Sequence, residues 1–216
     1  MTDIKAVLFD LDGTLIDTEK YYQRVWPDAV AHFGYTMTKD MALQLRSLGR
    51  PFAPAKFREW FGDDFDYDEV RAYRKGLFEN LIKEEGLHLK PGAEEILKWL
   101  KANNILISTA TATDEERTTR YLEKVGLLGY FDKICCATQV KEGKPAPDIY
   151  LYAVEQVGVP KEKCIAVEDA PNGVRSASAA GLRTIYIPDT HDDEEEVRGL
   201  YYKKLQSLTE LNDMLK

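Results

Sequence analysis

Two aspartates two residues apart, Asp10 and Asp12, close an apolar run and are followed at once by Gly13 and Thr14. Carboxylates this close can divide the work of a group transfer, one as nucleophile or metal ligand and the other as acid–base group. Gly13 permits a sharp turn and a close backbone approach there. A second acidic pair, Glu168-Asp169, ends another apolar run. Oxygen ligands drawn from two such ends suit a hard divalent cation of the magnesium type. Lys144 opens a Lys-Pro-Ala-Pro-Asp segment, and Thr109, Thr111 and Thr113 crowd the end of a further run. An ammonium and a hydroxyl suit a phosphate. An Asp-x-Asp-Gly-Thr segment alone serves equally well as a turn. In the company of the lysine, the threonines and the second acidic pair it points to phosphoryl transfer.

These residues need a scaffold that brings distant run ends together. Residues 4–10, 105–109, 133–137, 164–167 and 183–187 read as buried strands, and residues 93–101, 115–125, 148–157 and 172–180 between them read as helices. Such alternation predicts an α/β fold, a Rossmann-like parallel sheet with helices on both faces. Ligands of such sheets bind beyond the carboxyl ends of the strands, where the acids, threonines and lysine fall. Thr113 with Glu116 has capping-box spacing, Gly126 and Gly158 suit helix C-caps, and Pro147 and Pro171 suit first turns. Residues 17–87 break the alternation. Apolar positions recur there at helical spacing, as in Tyr22, Val25, Trp26, Ala29, Val30 and Phe33, and again in Val70, Tyr73, Leu77 and Leu81. The expected organisation is a catalytic core of residues 1–16 and 88–216 interrupted by an all-helical cap domain, residues 17–87.

The whole chain sets outer limits. Its 216 residues fit one domain with a modest insertion, and 44% hydrophobic with 31% charged residues is a globular composition. A formal charge of −8 argues against nucleic-acid partners, which are held by cationic contacts. No apolar run approaches the roughly 20 residues of a membrane span, and no signal peptide is legible at the start, so the expected place is cytoplasmic. Cys135, Cys136 and Cys164 read as buried reduced thiols, and His32, His88 and His191 share no ligand-like spacing.

The segments FDLDGTLIDTE, STATAT, GKPAPDIY and AVEDAPNGVRSASAAGL stand in an order and spacing that resembles the haloacid dehalogenase superfamily. The similarity spans nearly the full chain and is to the beta-phosphoglucomutase/phosphatase-like subgroup, whose helical cap is inserted after the first motif. The resemblance implies that Asp10 attacks phosphorus to form an aspartyl phosphate, and that Asp12 protonates the leaving oxygen and then deprotonates water. It implies that Thr111, Ala112 and Lys144 bind the phosphoryl group. It further implies that magnesium is held by Asp10, the backbone carbonyl of Asp12, Asp169 and Glu168, the last directly or through water. Asp12 argues for transfer to and from oxygen rather than dehalogenation. The implied function is a magnesium-dependent phosphatase of a small phosphorylated metabolite, sugar phosphates foremost, in a monomer or weak homo-oligomer. A sugar-phosphate mutase is the alternative, and a non-catalytic binding regulator a more distant one. Against the mutase, related phosphoglucomutases carry a histidine where this chain has Tyr22, and a cap lysine near Tyr73 and Arg74.

Other residues have two readings. Glu19 belongs to the Asp-Thr-Glu segment but also suits the first turn of a helix. Arg46, Gly49 and Arg50 form a loop fit either to face a substrate or to be solvated. Arg74 and Lys75 read as surface charges of a helix, and Asp192–Glu196 as a solvated helix start.

Overall fold

The computed structural model describes residues 3–216. Its parallel sheet has the strand order β2-β1-β3-β4-β5, with β1 (Ala6–Phe9), β2 (Leu106–Thr109), β3 (Cys164–Glu168), β4 (Arg183–Tyr186) and β5 (Lys203–Lys204). Every residue of β1 is buried, which is why its run is apolar without alternation. Register sets Phe9 beside Thr109 on one side and Val167 on the other. The Asp10 N–H donates to the Val167 carbonyl at 3.0 Å, and the Ala110 N–H to the Phe9 carbonyl at 2.7 Å. The residues that follow β1, β2 and β3 therefore emerge side by side at one edge.

The helices are α1 (Glu19–His32), α2 (Lys39–Gln44), α3 (Phe52–Phe61), α4 (Tyr67–Glu85), α5 (Ala93–Ala102), α6 (Glu115–Lys124), α7 (Asp148–Val157), α8 (Pro171–Ala179), α9 (Glu194–Val197) and α10 (Leu208–Leu215). Val7 and Phe9 point to the face covered by α5, α6 and α10, through Ile96, Leu100, Leu122 and Leu211. Ala6 and Leu8 point to the opposite face, covered by α7 and α8 through Ile149, Tyr150, Ala153 and Ala177. The period-two alternation of strand side chains thus feeds two apolar layers, and the expected α/β architecture with helices on both faces is present.

The strand expected at residues 133–137 does not form. That segment touches β2 only through isolated parallel bridges, Ser108 to Lys133 and Thr111 to Cys136. The Thr109 hydroxyl accounts for the interruption. It accepts the Cys135 N–H at 2.8 Å and donates to the Cys135 carbonyl at 2.9 Å, while the Thr109 carbonyl accepts the Ser108 hydroxyl at 2.8 Å. A side chain has taken a bond that a backbone ladder would use. β5, only Lys203–Lys204, carries no apolar signal and was not expected.

Between β1 and α5 the chain makes α1 to α4. Paired strands of backbone form the neck: the Asp17 N–H donates to the His88 carbonyl and the Lys90 N–H to the Leu15 carbonyl, each at 2.9 Å. Trp26, Phe57, Phe65 and Val70 pack into a cluster of their own, and Tyr21, Val25, Phe78 and Ile82 join the cluster on the sheet. The buried stripe of α4 is Val70, Arg74, Phe78 and Ile82, at four-residue spacing, rather than Val70, Tyr73, Leu77 and Leu81. An apolar count skips an arginine, which shifts the expected stripe by one residue, and Tyr73 is 38% exposed.

Candidate active site

Asp10, Glu168 and Asp169 converge at the sheet edge. Each offers a carboxylate oxygen within 4.8 Å of the others, and all three are buried. Register alone explains the meeting, since Asp10 follows β1 and Glu168 ends the adjacent β3. Lys144, fully buried, lies between them and donates to Asp10 Oδ1 and to Glu168 Oε1, each at 2.5 Å. The Tyr150 hydroxyl also donates to Glu168 Oε1 at 2.5 Å, and the Thr14 hydroxyl to Asp169 Oδ1 at 3.2 Å. One oxygen of each acid then remains: Asp10 Oδ2, Glu168 Oε2 and Asp169 Oδ2 are buried without a hydrogen-bond partner. Three orphaned hard oxygens on acids this closely grouped fit a divalent cation, and the donor set suits magnesium.

Two glycines make room for these acids. A Cβ at Gly13, whose φ is +82°, would lie 2.4 Å from Asp169 Oδ2, and one at Gly173 would lie 1.9 Å from Glu168 Oε2. Burial pushes the Asp10 carboxyl up to about 8, against the pull of Lys144 and with the push of Glu168. Burial raises Asp169 well above the usual carboxylate range, and Asp10 and Glu19 add to it. Burial works to lower Lys144, but Asp10 and Glu168 outweigh it, so the ammonium is held charged. The group as a whole lacks positive charge, which a bound cation would supply.

Asp12 stands apart from the three. Its Oδ1 accepts the Thr18 hydroxyl at 2.7 Å and its Oδ2 the Thr113 hydroxyl at 2.6 Å. Its carboxylate thus faces the pocket rather than the three clustered acids. Thr113 was expected as a helix cap. The cap is instead Asp114, which accepts the Arg117 N–H at 3.0 Å, and this releases Thr113 to hold Asp12. Thr111 is buried, and its hydroxyl accepts the Thr113 N–H at 3.1 Å, leaving its own proton to donate. Thr109 is spent on Cys135, whereas Thr111 lines the cavity beside Asp10.

Asp10, Asp12, Thr111 and Ala112 line a cavity of about 690 Å³ whose other walls come from α1, the loop after α2, and α4. Gly49 and Arg50 line it too, but they are first a contact between the helical segment and the loop before Lys144. The Gly49 N–H donates to the Lys144 carbonyl at 2.8 Å and the Gly143 N–H to the Arg50 carbonyl at 2.6 Å. The Arg50 guanidinium is paired with Asp68 and lies over the Tyr67 ring. Arg46 is buried and paired with Asp193, so neither it nor Asp193 is merely solvated. Glu19 begins α1 and also faces the cavity; burial, then Asp12, push its carboxyl well up. Arg74, expected on the surface, is 3% exposed and lines the cavity. Arg117 was not singled out from sequence, because a charged residue in a strongly polar helix gives no sign of burial; it is 8% exposed here.

The family model of haloacid dehalogenase-like hydrolases matches residues 4–181. A phosphorylated carbohydrates phosphatase of Thermotoga maritima is 32% identical over 189 residues, covering 85% of this chain and 84% of its own. The crystal structure of CbbY from Rhodobacter sphaeroides in complex with phosphate superposes with a TM-score of 0.81 at 30% identity, covering 96% of each chain. A beta-phosphoglucomutase from Clostridium difficile gives a TM-score of 0.83 at 24% identity, covering 96% of this chain and 93% of that one, a likeness of fold.

Proposed function

Because this chain belongs to the haloacid dehalogenase-like hydrolase family and is an enzyme of its phosphatase kind, we propose that it is a magnesium-dependent phosphatase of a small phosphorylated metabolite, with sugar phosphates foremost. The observation that carries this reading is the orphaned oxygen on each of Asp10, Glu168 and Asp169 beside a buried Lys144, behind a cavity whose wall Asp10 joins. Residues 17–87 are proposed as the cap and residues 1–16 with 88–216 as the catalytic core. The place is proposed to be cytoplasmic; among the described residues no helix is long and apolar enough to cross a membrane.

An oxygen of the Asp10 carboxylate attacks phosphorus, the P–O bond to the leaving group breaks, and Asp12 gives the leaving oxygen a proton. The Thr18 and Thr113 hydroxyls fix the Asp12 carboxyl against the pocket while it does so. A water then attacks the aspartyl phosphate, Asp12 takes its proton, and phosphate leaves with Asp10 restored. The Thr111 hydroxyl, the Ala112 backbone and the Lys144 ammonium bind the phosphoryl oxygens. Magnesium, held by Asp10, Asp169, Glu168 and the Asp12 carbonyl, supplies positive charge that offsets repulsion between carboxylate and phosphate.

The test is a phosphate-release screen over sugar phosphates, nucleotides and small phosphorylated acids, with magnesium and again after exhaustive EDTA. Release that requires magnesium is expected. Full activity after metal removal, or none with any compound, would overturn the proposal.

A further inference from the structure

The cavity holds two buried guanidinium groups that the phosphatase mechanism does not use. Arg74 comes from α4 and Arg117 from α6, so they approach from the helical segment and from the sheet side respectively. Arg74 packs its guanidinium against the Trp26 and Tyr22 rings, 4.8 and 5.1 Å from their centroids. Stacking occupies its faces and leaves its edge, where Nε and Nη1 are buried without hydrogen-bond partners. Arg117 donates from Nη2 to the Thr113 hydroxyl at 3.2 Å, and its Nε is also buried without a partner. Neither makes an ion pair with a carboxylate among the described residues. The charges acting on Arg74 are those of Arg117 and Arg71, both repulsive, and of the Tyr22 and Tyr67 phenols.

A buried cation without a counter-ion is unfavourable, and two that repel each other are more so. The Asp12 and Asp114 carboxylates act on Arg117 without pairing with it, and no carboxylate is among the main charges acting on Arg74, whereas a purely structural role is met by a direct partner, as Arg46 has Asp193. Solvation does not remove the difficulty, because both side chains are almost wholly withdrawn from solvent. Guanidinium edges are suited to bind anionic oxygens with two parallel donors.

We propose that Arg74 and Arg117 form a subsite for a second anionic group, carboxylate or phosphate, on the leaving group of the substrate. This deepens the phosphatase reading and rests on it: the preferred substrates are phosphate monoesters whose leaving group is itself an anion. The anion bridges α4 and α6, so a substrate that carries it joins the helical segment to the sheet as it binds.

The probes are straight-chain alkylphosphonates of about three to five carbons ending in methyl, carboxylate or a second phosphonate. They cannot be hydrolysed, so calorimetric binding at fixed free magnesium reads the subsite without turnover. A terminal anion is expected to tighten Kd by roughly tenfold to a hundredfold at one chain length, the scale of a charge-assisted hydrogen bond. The arm that gains distinguishes carboxylate from phosphate. Arg74→Gln and Arg117→Gln are each expected to remove that gain, with melting curves confirming that the variants fold. If no terminal anion tightens binding to the wild-type chain, or if the gain survives in a folded variant, the subsite is refuted. A failed phosphatase reading would look different: no phosphate released from the corresponding phosphate esters, whatever the binding gain.

Discussion

At the scale of single residues, Asp10 carries the sharpest expectations. Its Oδ1 is held by Lys144 and its Oδ2 is orphaned. Asp10→Asn keeps the shape and removes the anionic nucleophile, so turnover should fall by on the order of 10⁴-fold or more while the melting temperature shows an intact fold. Substantial phosphate release by folded, uncontaminated variant would remove Asp10 from the mechanism. The same carboxyl gives a pH test. Without metal, burial holds it protonated up to about 8 in the folded chain, against an ordinary value of 3.8. Between those values the folded state binds more protons than the unfolded one, so this group's contribution is full at low pH and is lost as pH rises toward 8. Magnesium binds the ionised acids and opposes that loss. The gain in melting temperature on adding magnesium, compared with EDTA at the same pH, should therefore be larger at about pH 8 than at about pH 6. A gain that shrinks over that interval would contradict a carboxylate metal site here.

Among the elements, the meeting of two glycines is the sensitive point. The loop after α2 and the loop before Lys144 approach so closely that a Cβ at Gly49 would lie 2.6 Å from Gly143 Cα. That neighbour is backbone and cannot rotate away. Gly49→Ala should force the loops apart, break the hydrogen bonds between residues 49–50 and 143–144, and disturb Lys144 through its own carbonyl. The expected result is a raised KM together with a lowered kcat, since both the cavity wall and the lysine that holds Asp10 move. Wild-type kinetics in Gly49→Ala would show that the contact is incidental. This contact was not legible in the sequence, although Gly49 itself was singled out. A residue pattern tells which positions can be glycine, not which two glycines will touch. What was legible was the sheet edge. The buried runs mark β1, β2, β3 and β4, and binding beyond strand ends groups Asp10 with Glu168 and Asp169, and with Thr111 across the cavity. The failures came where side chains replaced backbone or charge replaced apolarity. Thr109 interrupts a strand by bonding Cys135, Asp114 takes the cap expected of Thr113, and Arg74 occupies a core position that only an apolar residue would have marked.

At the scale of the molecule, the question is what the cavity would do with the aspartyl phosphate proposed at Asp10. A mutase must withhold the aspartyl phosphate from water and deliver it to a sugar hydroxyl, so its acid–base group has to be engaged only when cap and substrate are both in place. In this chain Asp12 is held by the Thr18 and Thr113 hydroxyls, groups of the protein itself. One of these comes from the start of the helical segment and the other from the loop after β2, so the carboxylate stands ready in the protein as it is. Tyr22, where phosphoglucomutase relatives have histidine, stacks on Phe78 at 4.4 Å between centroids and carries Arg74 over its ring. Burial raises its phenol far above neutrality, so it cannot switch charge with substrate as an imidazole could. An acid–base group oriented by the protein's own hydroxyls serves water as readily as sugar, and hydrolysis should dominate. The measurement supplies beta-glucose 1-phosphate with a trace of the 1,6-bisphosphate and follows glucose 6-phosphate and free phosphate together. Phosphate release from the best substrate of the screen should be much faster than formation of glucose 6-phosphate. If glucose 6-phosphate forms much faster than phosphate leaves any screened compound, the prearranged Asp12 does not decide the outcome, and the chain is a mutase.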